Sequence, residues 1–320
     1  MAIGISPLVD FAFKLVLGSP EHSGITIHFL NSILVDQPRI AQVEILNPFL
    51  GKEFDDDKLS VLDILATDEH GRLLNIEMQT SLPAGMAQRL TYYVSSMYVG
   101  QLSEGQEYFE LRPAISICVL SQAMCVEPGA LHLDFRLREV STNRTLTDDL
   151  QIHLLQLNHL QVTAETVYDA TPVERWAYFL QYADQLTAAE ILRLFPDREF
   201  SEAAGVLEMI SRTPEQLMAY NARLKFQRDE VARIRQARQE GLQEGRQEGR
   251  QEGRQEGRQE GRQEGVEIGE ARGRQIGRIQ LLQELLGQRL WTAEEFATCD
   301  FTQLDAMANQ LQQQLRARNS

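Results

Sequence analysis

Cysteine is scarce in this 320-residue chain, and Cys118, Cys125 and Cys299 are its whole complement. No two of them stand at C-x-x-C spacing, which argues against a disulfide framework and against a thiolate zinc site. None of the six histidines pairs with another at helical ligand spacing, so zinc-dependent chemistry has no signal either. A G-x-x-x-x-G-K-[ST] loop is missing, and with it any sign of ATP use. No apolar run approaches the length that spans a bilayer, so no membrane partner is expected. The opening MAIGISPLVDFAFKLVLG lacks a basic leader and breaks its apolar run at Asp10 and Lys14, unlike a secretory signal. A reducing cytoplasm is the expected compartment.

Positive charge is also in deficit. The formal net charge is −15, which argues against the basic footprint of a phosphate-binding surface. The deficit is uneven: residues 1–200 carry 27 acids against 13 bases, and residues 201–320 carry 19 against 18. The acidity belongs to the first part. Within the second, LKFQRDEVARIRQARQ gathers Lys225, Arg228, Arg233, Arg235 and Arg238 on a helical pattern, either a solvated face or a local basic surface.

What is present begins with VLDILATDEHGRLLNIEMQT, residues 61–80. It reads as two strands joined by a polar linker, Thr67 to Gly71, whose glycine accepts φ > 0. Side chains alternate across a strand, so Leu73, Asn75, Glu77 and Gln79 share one face and Leu74, Ile76 and Met78 the other. A hairpin centred on His70 sets Asp63 opposite Glu77. Carboxylates so opposed have β-carbons about 5 Å apart and repel unless one is protonated or a cation lies between them. The pattern asks for a metal. The alternative is that each carboxylate faces water on the open side of an antiparallel sheet, but both sit inside apolar runs.

Ser6-Pro7 reads as a helix start, with the helix ending at Gly18, and SGITIHFLNSIL as a second helix. Three period-two runs follow at 40–46, 59–66 and 72–79, then a helix through Met86, Leu90, Tyr93 and Met97, then the central-strand run AISICVL. LHLDFRL and DLQIHLLQL add strands, and the texture turns helical from Pro172. The expected organisation is a domain at 1–212, a basic helix at 213–240, a glycine-periodic segment at 241–277 and a C-terminal helical segment at 278–320.

These residues carry a resemblance. DFAFKLVLG, FLNSIL, DKLSVLDI, NIEMQ, RLTYY leading to GQEYFELRPAISICVL, and RWAYFL, in that order and spacing over residues 5–185, resemble the PD-(D/E)XK nuclease superfamily and, within it, the recombination-promoting, transposase-like nucleases. The resemblance implies an α/β fold, a restriction-endonuclease-like core of a mixed central sheet flanked by helices, with a helical C-terminal extension. It implies Mg²⁺, with Mn²⁺ as a substitute, DNA as partner, and a DNA endonuclease activity; a weak or silent nucleic-acid-binding module is the alternative. Its active site maps onto Asp63 and Glu77 as metal ligands, with Gln79 at a third position that is usually lysine in the wider superfamily. An amide positions water but brings no charge. Asp10, Lys14 and Lys58 match the family pattern as site or DNA support. Arg89 with Tyr92 and Ser96 makes a polar helix face that either contacts phosphate or only packs.

Ten glycines recur every four residues between 241 and 277. On an α-helix that stripe drifts about 40° per repeat. Each glycine costs about 1 kcal/mol relative to alanine, and the period sets Glu by Glu and Arg by Arg at i, i+4. The segment is therefore either a solvated polyampholyte or a helix that pairs with another copy through its glycines, making a homo-oligomer.

Overall fold

The structure, a computed structural model, describes residues 1–46, 63–122, 124 and 129–318. The chain divides into two compact units, Met1–Arg233 and Ile234–Ser320.

The first unit is built on a six-stranded mixed sheet in the order β1-β2-β3-β4-β6-β5. The strands are β1 (Val43–Ile45), β2 (Ile64–Asp68), β3 (Leu73–Gln79), β4 (Ala114–Leu120), β5 (His132–Arg138) and β6 (Thr145–Gln156). β1, β2 and β3 pair antiparallel, β3, β4 and β6 run parallel, and β5 returns antiparallel to β6. Parallel neighbours need a crossover, and between β3 and β4 it is the helix Met86–Val99, numbered α3 below. Ahead of the sheet stand α1 (Asp10–Leu17) and α2 (Ser23–Ile33). After it come α4 (Pro172–Tyr182), α5 (Ala188–Leu194) and α6 (Arg198–Arg212).

Every residue of AISICVL in β4 is buried, because the strand lies mid-sheet with helices over both faces. One face of the sheet, with Leu74, Ile76, Ile115 and Ile117, packs into the main core against α1, α2, α4 and α6, around Trp176. The other face is covered by α3 through Met86, Leu90, Tyr93, Val94 and Met97.

Several element boundaries differ from the sequence reading; β2, expected over 59–66, runs on to Asp68 through the Thr67–Leu73 pair, and positions 59–62 of that expectation lie outside the described residues. α1 begins at Asp10, not at Ser6-Pro7, because Val9 is extended (φ −90°, ψ 126°) and Ser6 closes a turn instead, its carbonyl accepting from Val9 N. β1 is shorter than the period-two run: the Ile40 backbone is bonded on both sides by the Asn31 amide, and Ala41 N and Gln42 N donate to the Glu69 carboxylate. Side chains have taken the ladder's groups there.

The β2–β3 hairpin follows the expected register, with Ile64 opposite Ile76 and Leu65 opposite Asn75. Asp68 organises its turn, accepting from His70 N and Arg72 N and pairing with the buried Arg72 guanidinium at 2.5 Å. Gly71 takes φ +75°. At the end of α1, Gly18 allows a close approach: a β-carbon there would lie 3.0 Å from Ile64 Cγ1 and 2.8 Å from Lys14 O. That contact seats α1 against the start of β2.

α7 (Pro214–Leu286) is one helix of 73 residues that runs through the whole glycine-periodic segment. Its first turns belong to the first unit, where Ser6 N donates to Tyr220 Oη and Gln227 Nε2 to Leu8 O. In the second unit its last turns pack on α8 (Ala293–Ala297) and α9 (Phe301–Arg318) through Ile279, Leu282, Phe296, Leu304 and Leu311. Gly287, at φ +72°, ends α7: Gln288 N bonds Gln283 O and Gly287 N bonds Glu284 O, a complete Schellman closure. A β-carbon on any of the ten periodic glycines would meet nothing within 4 Å among the described residues. Among the described residues no helix is long and apolar enough to cross a membrane.

Candidate active site

Alternation along β3 turns Asn75 and Glu77 to the α3 side of the sheet, next to Ser116 and Cys118 of β4. The carboxyl group of Glu77 is only 1% exposed. Three neighbours reach it. Asn75 Nδ2 donates to Oε1 at 3.3 Å and also to Ser116 Oγ at 3.4 Å, and Gln79 Nε2 donates to Oε2 at 3.5 Å. From α3, Arg89 Nη2 stands 3.7 Å from Oε2. Arg89 is itself held by Tyr93, one helical turn on, whose hydroxyl accepts from Nε at 3.1 Å and whose ring centroid is 5.3 Å from the guanidinium carbon.

Asp63 lies just before β2, where the hairpin register continues to Glu77. Its Oδ2 accepts from Met78 N at 3.0 Å, and its Oδ1 is 3.2 Å from Lys14 Nζ. Lys14 is also 2.9 Å from Asp10 Oδ1, one turn earlier on α1. The i, i+4 pair on α1 is therefore not an isolated surface pair, because its ammonium bridges to the sheet.

The electrostatics follow from two buried carboxylates, Asp63 and Glu77, with the partly exposed Asp10 beside Asp63's cation. Burial raises the Glu77 carboxyl to about 7, helped by repulsion from Asp63 and opposed by Arg89. Burial likewise raises Asp63, against the pull of Lys14 and with a push from Asp10. Burial by itself would lower the Lys14 ammonium, yet Asp63 and Asp10 outweigh it and hold it above its ordinary value. The two partners thus point opposite ways, Lys14 favouring the ion pair and Asp63 resisting ionisation. The direction that governs is burial: Lys14 is shared between Asp63 and Asp10, Arg89 stands 3.7 Å from Glu77, and both buried carboxyls stay raised, so the site favours added positive charge. The Cys118 thiol is pushed well up by burial and by Glu77 and Asp63, so it stays a protonated, inert neighbour.

The donor set suits a hard cation. Asp63, Glu77 and the Gln79 amide offer oxygen, and among the described residues no group of three or more His, Cys, Asp or Glu side chains gathers in a cage. Mg²⁺ needs no such cage, since it keeps several waters and takes one or two carboxylates. Asn75 Oδ1 is buried and has no hydrogen-bond partner among the described residues. A buried carbonyl oxygen left unsatisfied is costly, and its presence beside Glu77 marks a site whose complement is incomplete.

Of the residues singled out from the sequence, Asp63, Glu77, Gln79, Asp10, Lys14 and Arg89 come together. Tyr92 does not: it is exposed, edge-on to Tyr93. Lys58 lies outside the described residues. The sequence reading did not single out Asn75, Ser116 or Tyr93 as site residues. Asn75 had a usable signal, two residues before Glu77 on the same strand face, and Tyr93 another, four residues after Arg89. Ser116 had none, because it arrives from β4 through the sheet.

No curated protein and no solved structure matches the chain. A family model does match, over residues 7–237, and its description is PD-(D/E)XK nuclease family transposase. The match takes in the sheet, α1 to α6 and every site residue named above. With a mixed sheet, an acid at the head of β2, and Glu-x-Gln on β3 beside it, the chain belongs to the PD-(D/E)XK nuclease family transposases.

Proposed function

We propose that the protein is a divalent-metal-dependent endonuclease that hydrolyses phosphodiester bonds in DNA, of the recombination-promoting, transposase-like kind. The observation that carries this reading is the convergence of Asp63 and Glu77, from adjacent strands, in a buried site short of positive charge. PD-(D/E)XK nucleases generally use divalent metals, and the oxygen donors here fit Mg²⁺ or Mn²⁺. Bound at Asp63 and Glu77, such an ion would supply charge neutralisation at the phosphoryl group and a more acidic water.

The chain's own residues have separate tasks. Met78 N–H fixes the Asp63 carboxylate, and Asn75 and Arg89 hold Glu77 in its rotamer. Gln79 borders Glu77 through its amide nitrogen, and its amide oxygen accepts a hydrogen of the attacking water. α3 and the apolar residues Met86 and Leu90 keep bulk water from the β4 side.

One observation favours a second reading. Lys14 already stands by Asp63, and Arg89 by Glu77, as a silent nucleic-acid-binding module would require. Incubating the full chain with supercoiled plasmid in Mg²⁺, Mn²⁺ or EDTA separates the two. Nicking with either metal and none in EDTA is expected, and loss of nicking in folded Asp63→Asn and Glu77→Gln. Gel retention of DNA with no nicking under any metal favours the binding module, and full activity in either variant sinks the site assignment. Gln79→Leu lowers the rate if the amide orients water.

A further inference from the structure

The two cations of the site are not equivalent. Arg89 stands 3.7 Å from Glu77 and is committed to Tyr93 by a hydrogen bond and by its ring face. Lys14 lies between two carboxylates, 2.9 Å from Asp10 and 3.2 Å from Asp63, on a helix that Gly18 seats against Ile64 at the head of β2. β3 brings no cation, since Asn75 and Gln79, the residues flanking Glu77 on its face, are both neutral amides. A lysine is a compact charge on a flexible stem with three rotatable donors, able to exchange one oxygen for another without leaving its place. The atom it holds, Asp63 Oδ1, belongs to one of the two carboxylates assigned to the metal.

We propose that Lys14 is the mobile ammonium of this centre. While Asp63 carries no metal, Lys14 neutralises it. When Asp63 ligates a divalent cation, the ammonium gives up Oδ1, stays tethered by Asp10, and donates to a non-bridging oxygen of the DNA phosphate. No bond is made or broken by Lys14 in this exchange; it moves as a charged hydrogen-bond donor. Lys14 is thus a positioning group for Asp63 in one state and a phosphate contact in the other. The phosphate half rests on the nuclease reading above, and the competition for Asp63 does not.

Competition gives a signature that a merely structural lysine lacks. Removing the charge frees Asp63 for metal, so metal affinity rises while DNA binding and cleavage fall; loss of a structural support lowers all three. The test compares full-length wild type, Lys14→Gln and Lys14→Arg by calorimetric titration with Mn²⁺ alone, by anisotropy of a labelled DNA duplex with Ca²⁺, a hard cation that takes oxygen ligands, and by plasmid nicking with Mn²⁺. Lys14→Gln is expected to bind Mn²⁺ about fivefold more tightly, since a like charge beside the site is gone. It should also bind the duplex more weakly in Ca²⁺, where Asp63 is on the metal and Lys14 is on the phosphate, and nick about tenfold more slowly or worse in Mn²⁺. Lys14→Arg should stay within about twofold of wild type for Mn²⁺ and recover part of the nicking, because the charge is kept. A folded Lys14→Gln that binds Mn²⁺ no more tightly than wild type overturns the exchange. Should Lys14→Gln fail to fold, the same comparison is made between Asp10→Asn and the Asp10→Asn/Lys14→Gln double variant, which removes the α1 pair together. Tighter Mn²⁺ binding with no nicking even by wild type upholds the exchange and sinks the nuclease reading.

Discussion

Replacing Glu77 with glutamine should make the metal-free protein more stable at alkaline pH, and the structure gives the size. Glu77 is 1% exposed, and its carboxyl rises from the ordinary glutamate value of 4.5 to about 7. Folded Glu77 therefore holds its proton more tightly than unfolded Glu77. Below pH 4.5 both states are protonated and its contribution to stability is intact; as pH climbs through 7 the unfolded chain has lost its proton first and stability drains away. A rise of that size corresponds to about 3 kcal/mol. Asp63, also raised, adds in the same direction. Glutamine removes the charge, but its amide has one acceptor oxygen where the carboxylate has two, so one of the hydrogen bonds from Asn75 and Gln79 is given up, at about 1 kcal/mol. The net gain at pH 8 in EDTA is then about 2 kcal/mol, or about 4–8 °C in melting temperature for a unit of this size. Urea unfolding followed by tryptophan fluorescence measures it. Trp176 is fully buried in the first unit and Trp291 packs on Phe296 in the second, so a Trp291→Phe background leaves one reporter for the sheet. Wild type should lose stability from pH 5 to pH 8, Glu77→Gln should lose less, and Mg²⁺ at pH 8 should restore wild type alone. A wild type indifferent to pH over that span, or a Glu77→Gln less stable than wild type at pH 8, would refute the reasoning.

Gly18→Ala should cost about 1–3 kcal/mol, the usual penalty for overpacking, because its β-carbon would sit 3.0 Å from Ile64 Cγ1 and 2.8 Å from Lys14 O; unchanged urea midpoints would show that α1 yields freely. Alanine at Gly253, Gly257 and Gly261 should raise α7 helicity by circular dichroism, at about 1 kcal/mol per site. If the glycine stripe pairs with a second copy, the same triple variant should fall to the mass of one chain by light scattering, and an unchanged mass disposes of pairing.

The hairpin was legible because alternation leaves few choices: once Leu74, Ile76 and Met78 go to the core, Asn75 and Glu77 must face α3, and a turn centred near His70 sets Asp63 beside Glu77. The helical stripe Met86, Leu90, Tyr93, Met97 was legible for the same reason, all four being buried. What alternation cannot show is reach. Lys14 lies forty-nine positions before Asp63, and the packing of α1 into the core, with Gly18 close on Ile64, brings its ammonium there. Tyr92 looked like the polar partner of Arg89 by spacing, yet Tyr93, a core residue, supplies the hydroxyl. An amphipathic reading sorts tyrosine to one side or the other, whereas the residue is apolar along its ring and polar at its tip. β1 shortened because Asn31, on the preceding helix, and Glu69, in the β2–β3 turn, claimed its first backbone groups.

The seating of α1 on β2 has a bearing on ionic strength. What holds Lys14's helix beside Asp63 is the buried apolar face of α1 together with the close approach of Gly18 to Ile64, a fit that dissolved ions do not weaken. Contacts to a DNA backbone are of the other kind, and their strength falls steeply with added salt as counterions are no longer released. If the proposed nuclease function holds, a salt titration of this protein therefore reads its grip on nucleic acid with the internal geometry of the site held constant, and activity lost at high salt should return in full on dilution.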